Sequence, residues 1–196
     1  MNIDGIKIDW TVFEKMNWKD LLFDKQNELR ILYGVPICDL DLPSDQQQLR
    51  SMSWNCIEEV GEAIDVILTS DHATHLGDEL ADMTAFYIEL LIMSGITKEQ
   101  VDLKSWEATE RKPFSEIEKA FTSFSVSLAL SINTLKNRYW RKTNLKTDRE
   151  VYLERLKRTI PLFRLLIMSF GISFKSLMDY YLKKYEVNVF RIRTKY

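Results

Sequence analysis

Helical periodicity with little to interrupt it is what most restricts the fold of this chain. Six glycines and four prolines in 196 residues punctuate long segments rather than pervade them. Apolar residues recur at helical spacing, as at Trp10, Phe13, Trp18, Leu21, Leu22, Leu29 and Leu32. No alternating apolar–polar stretch reads as a strand of any length. The expected class is all-α, in one domain over 1–196.

Punctuation places the elements. One or two amphipathic helices span Trp10 to Tyr33, and Gly34 to Ser44, with Pro36 and Pro43, is a loop. A helix from Asp45 to Leu68 takes Ser44 or Asp45 as its cap, and a short connector, Thr69 to Gly77, leads to a helix ending before Gly95. Thr97 with Gln100 forms a capping box. Trp106 to Pro113 reads as a bend, Phe114 to Tyr139 as a helix with a Ser-rich centre, and Asn144 to Asp148 as a break. In the helix from Arg149 to Phe170, Pro161 is expected to kink or divide the chain. Gly171 and Ser173 open a last helix running to about Tyr185. The run Leu90 to Ile96 echoes Leu165 to Ile172, each ending a helix at glycine, as an old hairpin duplication or as two similar core helices.

Two acidic pairs stand in the central helices, Glu59/Glu62 and Glu79/Asp82. Spacing of i, i+3 puts both members of a pair on one helical face, and folding the helices back converges four carboxylates. Acids at helical spacing usually mark a solvated face, and on the first helix Ile57, Val60, Ile64, Ile67 and Leu68 do form a stripe largely opposite them. The second helix is different, because Met83, Phe86 and Leu90 continue the face that Glu79 begins. A carboxylate there must be paired, protonated or bound to metal. Hard oxygen ligands select Mg²⁺, with Mn²⁺ as a substitute. Glu58 with Glu62 and Asp78 with Asp82 also share faces at i, i+4, so spacing alone leaves the register open.

Composition narrows the class. Hydrophobic content of 45%, charged content of 29% and a net charge of −2 suit a globular protein and not one that coats nucleic acid. Cys38 and Cys56 show no metal or redox spacing, which suits a reducing compartment. Asp4 and Asp9 interrupt any signal-like apolar stretch, and Glu89 breaks the run Tyr87 to Met93. The expectation is a cytoplasmic protein, of a bacterium or a phage-infected host, with no membrane and no nucleic-acid partner. The last segment is basic: Lys183, Lys184, Arg191, Arg193 and Lys195 face only Glu186. With Asn188, Phe190, Tyr185 and Tyr196 it suits a phosphorylated, ring-bearing ligand. Metal-binding acids plus a basic segment point to a metal–polyphosphate substrate, held without any Walker-type glycine loop.

The segment Trp54 to Asp65 followed by Glu79-Leu80-Ala81-Asp82 resembles the all-α NTP pyrophosphatases, closest to the dimeric dUTPases and the phage dCTPase/dUTPases. Tyr181, Lys184, Asn188, Phe190, Arg191 and Tyr196 fall at the spacing of that family's closing motif, and Gln26 followed by Leu29 resembles its glutamine-bearing first helix. MazG-like enzymes share the acidic motifs but not the C-terminal one. The resemblance implies a helical bundle of the MazG/dimeric dUTPase type, a homodimer, and Mg²⁺-dependent hydrolysis of dUTP to dUMP and diphosphate. It also selects the register: Glu59, Glu62, Glu79 and Asp82 would bind metal, with Glu59 or Glu62 as general base. Lys184 and Arg191 would hold phosphates, Asn188 the deoxyribose and Gln26 the base, with Tyr196 closing over the nucleoside triphosphate.

The chain departs from the pattern in places. Thr84-Ala85 stands where the dUTPases usually carry Trp-His, and the connector lacks a Trp/Lys-rich loop. Ile192 and Lys195 replace the glutamine and glycine of the closing motif, and the basic extension after the last tyrosine is missing. These changes touch base and phosphate recognition, which admits dCTP, a modified pyrimidine or a broader MazG-like range. A catalytically inactive nucleotide-binding protein is the lesser alternative. His72 and His75 read as loop residues, and Trp106 and Trp140 as packing residues.

Overall fold

The computed structural model describes residues 17–69, 73–138 and 140–194, and in them every regular element is helical. The helices are α1 (Trp18–Leu32), α2 (Pro43–Thr69), α3 (Ala73–Met93), α4 (Phe114–Ile132), α5 (Arg149–Ser169) and α6 (Phe174–Thr194), with a 3₁₀ turn at Lys98–Gln100. The all-α expectation holds. No single helix among the described residues is long and apolar enough to cross a membrane.

Helix α3 is the centre. It packs against α1, α2 and α6, while α4 lies on α5 and touches α2. Tyr87 of α3 joins the two halves, stacking on Phe163 of α5 at 4.3 Å between ring centres and meeting Phe124 of α4 edge-on at 5.5 Å. All three rings are essentially inaccessible to water. The Tyr87 hydroxyl reaches Thr159 Oγ1 at 2.7 Å, so its polar end is satisfied within the core.

Several helix ends differ from the sequence expectation, each for a local reason. α1 begins at Trp18, capped by Asn17, whose side chain accepts from the Lys19 amide. The part of the expected first helix before residue 17 lies outside the described residues. α2 begins at Pro43, where a proline suits the first helical position because no donor is needed there. α3 begins at Ala73, so Gly77 is inside the helix and the α2–α3 connection is residues 70–72. Gly77 serves a different purpose: a β-carbon there would lie 2.3 Å from the Tyr180 ring of α6.

α4 stops at Ile132, not Tyr139. Beyond it the Asn137 amide N–H bonds to Gln46 Oε1 at 2.8 Å, and the Asn137 side chain holds Leu145 and Asp41. α5 runs unbroken through Pro161, which is exposed, so water can serve the carbonyl its ring leaves without a donor. α6 continues to Thr194, well past Tyr185, because Tyr185, Val189 and Ile192 pack on Leu29 of α1.

Other expectations hold. The Thr97 amide donates to Gln100 Oε1 at 3.0 Å, and Asp148 caps α5 by accepting from Val151. Gly95 and Gly171, the echoed helix stops, both have φ of 83°, the left-handed conformation that a side chain disfavours. Trp106 is a packing residue, its ring against Phe174 and its indole N–H on Ile172 O. Trp140 is 64% exposed. His75 is exposed, and His72 lies outside the described residues.

Candidate metal centre

Helices α2 and α3 fold back on each other, and small buried residues, Ala63 and Ala81, lie among the core side chains of the pair. Lower on the same seam Cys56 Sγ lies 3.8 Å from Met83 O. The fold-back brings Glu59 of α2 to Glu79 and Asp82 of α3, with one carboxylate oxygen from each within 4.8 Å of the others. All three side chains are half-buried.

The structure thus brings together three of the four acids in one of the two registers that spacing allowed, without Glu62. Glu58 is exposed and accepts from Trp54 Nε1 at 2.7 Å. Glu62 is exposed and outside the close trio, but its charge acts on Glu59 and Glu79. It lines a shallow acidic groove with Glu58, Glu59, Gly61 and Asp65.

Electrostatics show how crowded the trio is. Burial, and then the charges of Asp82, Glu62 and Glu79, push the Glu59 carboxyl up to about 8, against a smaller opposing pull from Lys184. Burial also raises Glu79, where Lys184 opposes the repulsion of Glu62, Asp82 and Asp78. Lys184 of α6 bonds Asp82 Oδ2 at 2.5 Å. Desolvation lowers the lysine's pKa, yet the hydrogen bond and charge of Asp82, with Asp78 and Glu79, outweigh it and leave it raised.

The donor set fits a hard divalent cation. Oxygens facing each other across Mg²⁺ lie roughly 4 Å apart, so closing the 4.8 Å cluster around an ion needs only a small side-chain adjustment. Asp82 and Glu79 would come from one helical face and Glu59 from the other helix.

The remaining candidates are spread along α6 and α1. The length of α6 puts Lys184, Asn188 and Arg191 on one helical face at i, i+4 and i+7; Asn188 is half-buried and Arg191 exposed. Tyr196 lies outside the described residues. Gln26 is 7% exposed, and both ends of its amide are engaged: Nε2 donates to Glu89 Oε2 at 2.8 Å, and Oε1 accepts from Tyr181 at 2.8 Å. Thr84 is fully buried and bonds its own helix at Leu80 O.

The Glu89–Gln26–Tyr181 network is what sequence reasoning missed. Its signal was present as a lone acid interrupting the apolar run of α3. Glu89 is 5% exposed, and burial raises its carboxyl despite the Gln26 hydrogen bond and the charge of Arg30. A cavity of about 650 Å³ between α2 and α4 is lined by Trp54, Ile57, Phe121, Leu128 and Ile132 and holds none of the clustered acids. The convergent carboxylates mark the chemistry better than its size does.

No family model, curated protein or solved structure matches the chain.

Proposed function

We propose that this protein is a Mg²⁺-dependent deoxynucleoside triphosphate pyrophosphohydrolase of the all-α NTP pyrophosphatase type, with dUTP as its first substrate and dUMP and diphosphate as products. The observation that carries this reading is the approach of Glu59, Glu79 and Asp82 to within 4.8 Å of one another, with Lys184 on Asp82. Like charges are drawn together at a cost in stability, which a binding function explains and a scaffold does not.

A divalent cation held by these carboxylates would supply Lewis-acid chemistry, activating water and neutralising phosphate charge. The chain's own groups do the rest. Glu62, beside the trio but outside it, accepts the proton of the attacking water. Lys184 and Arg191 bind phosphate oxygens, and Asn188, between them on the same helical face, takes the deoxyribose. Gln26, whose amide is held by Glu89 and Tyr181, would have to share or release one of those bonds to meet the base; Tyr196 closes over the substrate, and a homodimer is the expected assembly. The buried Thr84 in place of tryptophan favours testing dCTP and other pyrimidines beside dUTP.

The test is to incubate purified protein with Mg²⁺ and each common dNTP and NTP, measuring monophosphate and diphosphate. Turnover of dUTP, or of dUTP with dCTP, is expected. Broad turnover including purines moves the reading to a MazG-like enzyme. Binding without turnover under any metal overturns the enzymatic reading in favour of a nucleotide-binding protein. Glu62→Gln should lose at least about a hundredfold in kcat, the scale of general-base catalysis, while retaining metal binding.

A further inference from the structure

We propose that Lys184 is a tethered cation standing in the divalent ion's place at Asp82, and that ion binding frees it to engage a substrate phosphate. The proposal rests on the metal-centre reading above and assigns the lysine two positions where that reading gave it one.

The geometry is specific. Lys184 Nζ lies 2.5 Å from Asp82 Oδ2, one of the carboxylates in the trio. Its charge also acts on Glu59, Glu79 and Asp78. Its helix is anchored on either side by the buried rings of Tyr181 and Tyr185, so the ammonium is presented from a fixed base on a flexible four-carbon stem. In this state the ammonium offsets part of the repulsion among the acids.

A divalent ion bound to Asp82 would sit about 2 Å from the carboxylate oxygen. An ammonium hydrogen-bonded to the same oxygen would then be within a few ångströms of a doubly charged cation, and the two repel. Lys184 must move, and the nearby groups on its own helical face are Asn188 and Arg191, not further acids. A phosphate chain lying there gives the displaced ammonium a new anionic partner. Ion and polyphosphate therefore strengthen each other's binding, and the coupling is reciprocal. A purely structural ion pair would show none of this.

Calorimetric titration with Mn²⁺ alone, without nucleotide, separates the cases. Lys184→Met removes the competing charge and should tighten Mn²⁺ binding by about tenfold, a conservative figure for a unit charge this close; Lys184→Arg should stay near wild type. With inorganic tripolyphosphate as second probe, Mn²⁺ should tighten tripolyphosphate binding to the wild type, and Lys184→Met should lose most of that coupling. Unchanged or weaker Mn²⁺ binding by a folded Lys184→Met protein overturns the proposal and leaves the metal centre standing. No Mn²⁺ binding by either protein overturns both. Should Lys184→Met fail to fold, the ¹⁵N resonance of the wild-type ammonium, identified by its loss in Lys184→Arg, decides: a shift on adding Mg²⁺ is expected, and an unmoved resonance sinks the idea.

Discussion

Helix α2 carries two polar clusters of opposite character. Near its start, Gln46 is fully buried and uses every hydrogen-bonding capacity of its amide: Nε2 donates to Leu40 O and Thr147 Oγ1, and Oε1 accepts from the Asn137 amide and Arg50. Thr147 and Asn137 tie the same knot to Asp41 and Leu145. Further along, Glu59 faces two other carboxylates, and burial first, then their charges, raise its proton affinity. The Gln46 amide is complete without any ligand, although Arg50 beside it leaves its buried Nε and Nη1 without a partner. The second cluster gathers like charges that Lys184 offsets in part, and the proposed metal site rests on that contrast.

Mutation should split the two clusters. Gln46→Leu leaves several buried partners without a bond and should cost about 3 kcal/mol or more, read from urea denaturation, with Mn²⁺ binding by the folded fraction unchanged. A cost below about 1 kcal/mol would mean that the knot is not what holds the α4–α5 connection.

Gly77→Ala tests whether α6 must lie close for the acidic site to form. Its β-carbon would meet the Tyr180 ring at 2.3 Å, so we expect a loss of about 1–3 kcal/mol. Displacement of α6 should also disturb Lys184 and lower phosphate affinity. Wild-type stability and affinity in this variant would show that the ring swings aside freely.

The acid cluster predicts its own pH dependence. The folded state holds a proton on Glu59 more tightly than the unfolded chain, from an ordinary 4.5 up to about 8. Its contribution to stability is therefore greatest below 4.5 and declines as pH rises to about 8, then levels off. Metal-free protein should show this decline in thermal midpoint, and saturating Mg²⁺ should remove it. Glu59→Gln should flatten the profile and stabilise the metal-free protein near neutral pH while abolishing tight Mn²⁺ binding. A profile as steep in Glu59→Gln as in wild type would place the titration elsewhere.

The smallest effect is expected at Gly61, inside the acidic motif. A β-carbon there meets nothing within 4 Å, so Gly61→Ala should stabilise α2 by about 0.5–1 kcal/mol. Loss of stability would reveal a close neighbour at that face, such as a second copy of the chain.

Much of the acidic site was legible because it is local. Glu79 and Asp82 share a face by spacing alone, and a short connection brings the preceding helix alongside. The choice of Glu59 over Glu58 was open to spacing and came from a resemblance; in the fold Glu58 turns to Trp54. Gln26 was noticed but its surroundings were not, since Glu89 and Tyr181 reach it from two other helices.

Helical periodicity and sparse glycine and proline determined the all-α class, and i, i+3 spacing determined which acids could act together. Both follow from backbone geometry over a few residues. Only the tertiary structure decided where α4 ends, how far α6 runs, that Gly77 makes room for Tyr180, and that Lys184 lies on Asp82. Those outcomes depend on side chains brought together across a hundred residues, where packing and the satisfaction of polar groups outweigh local preference.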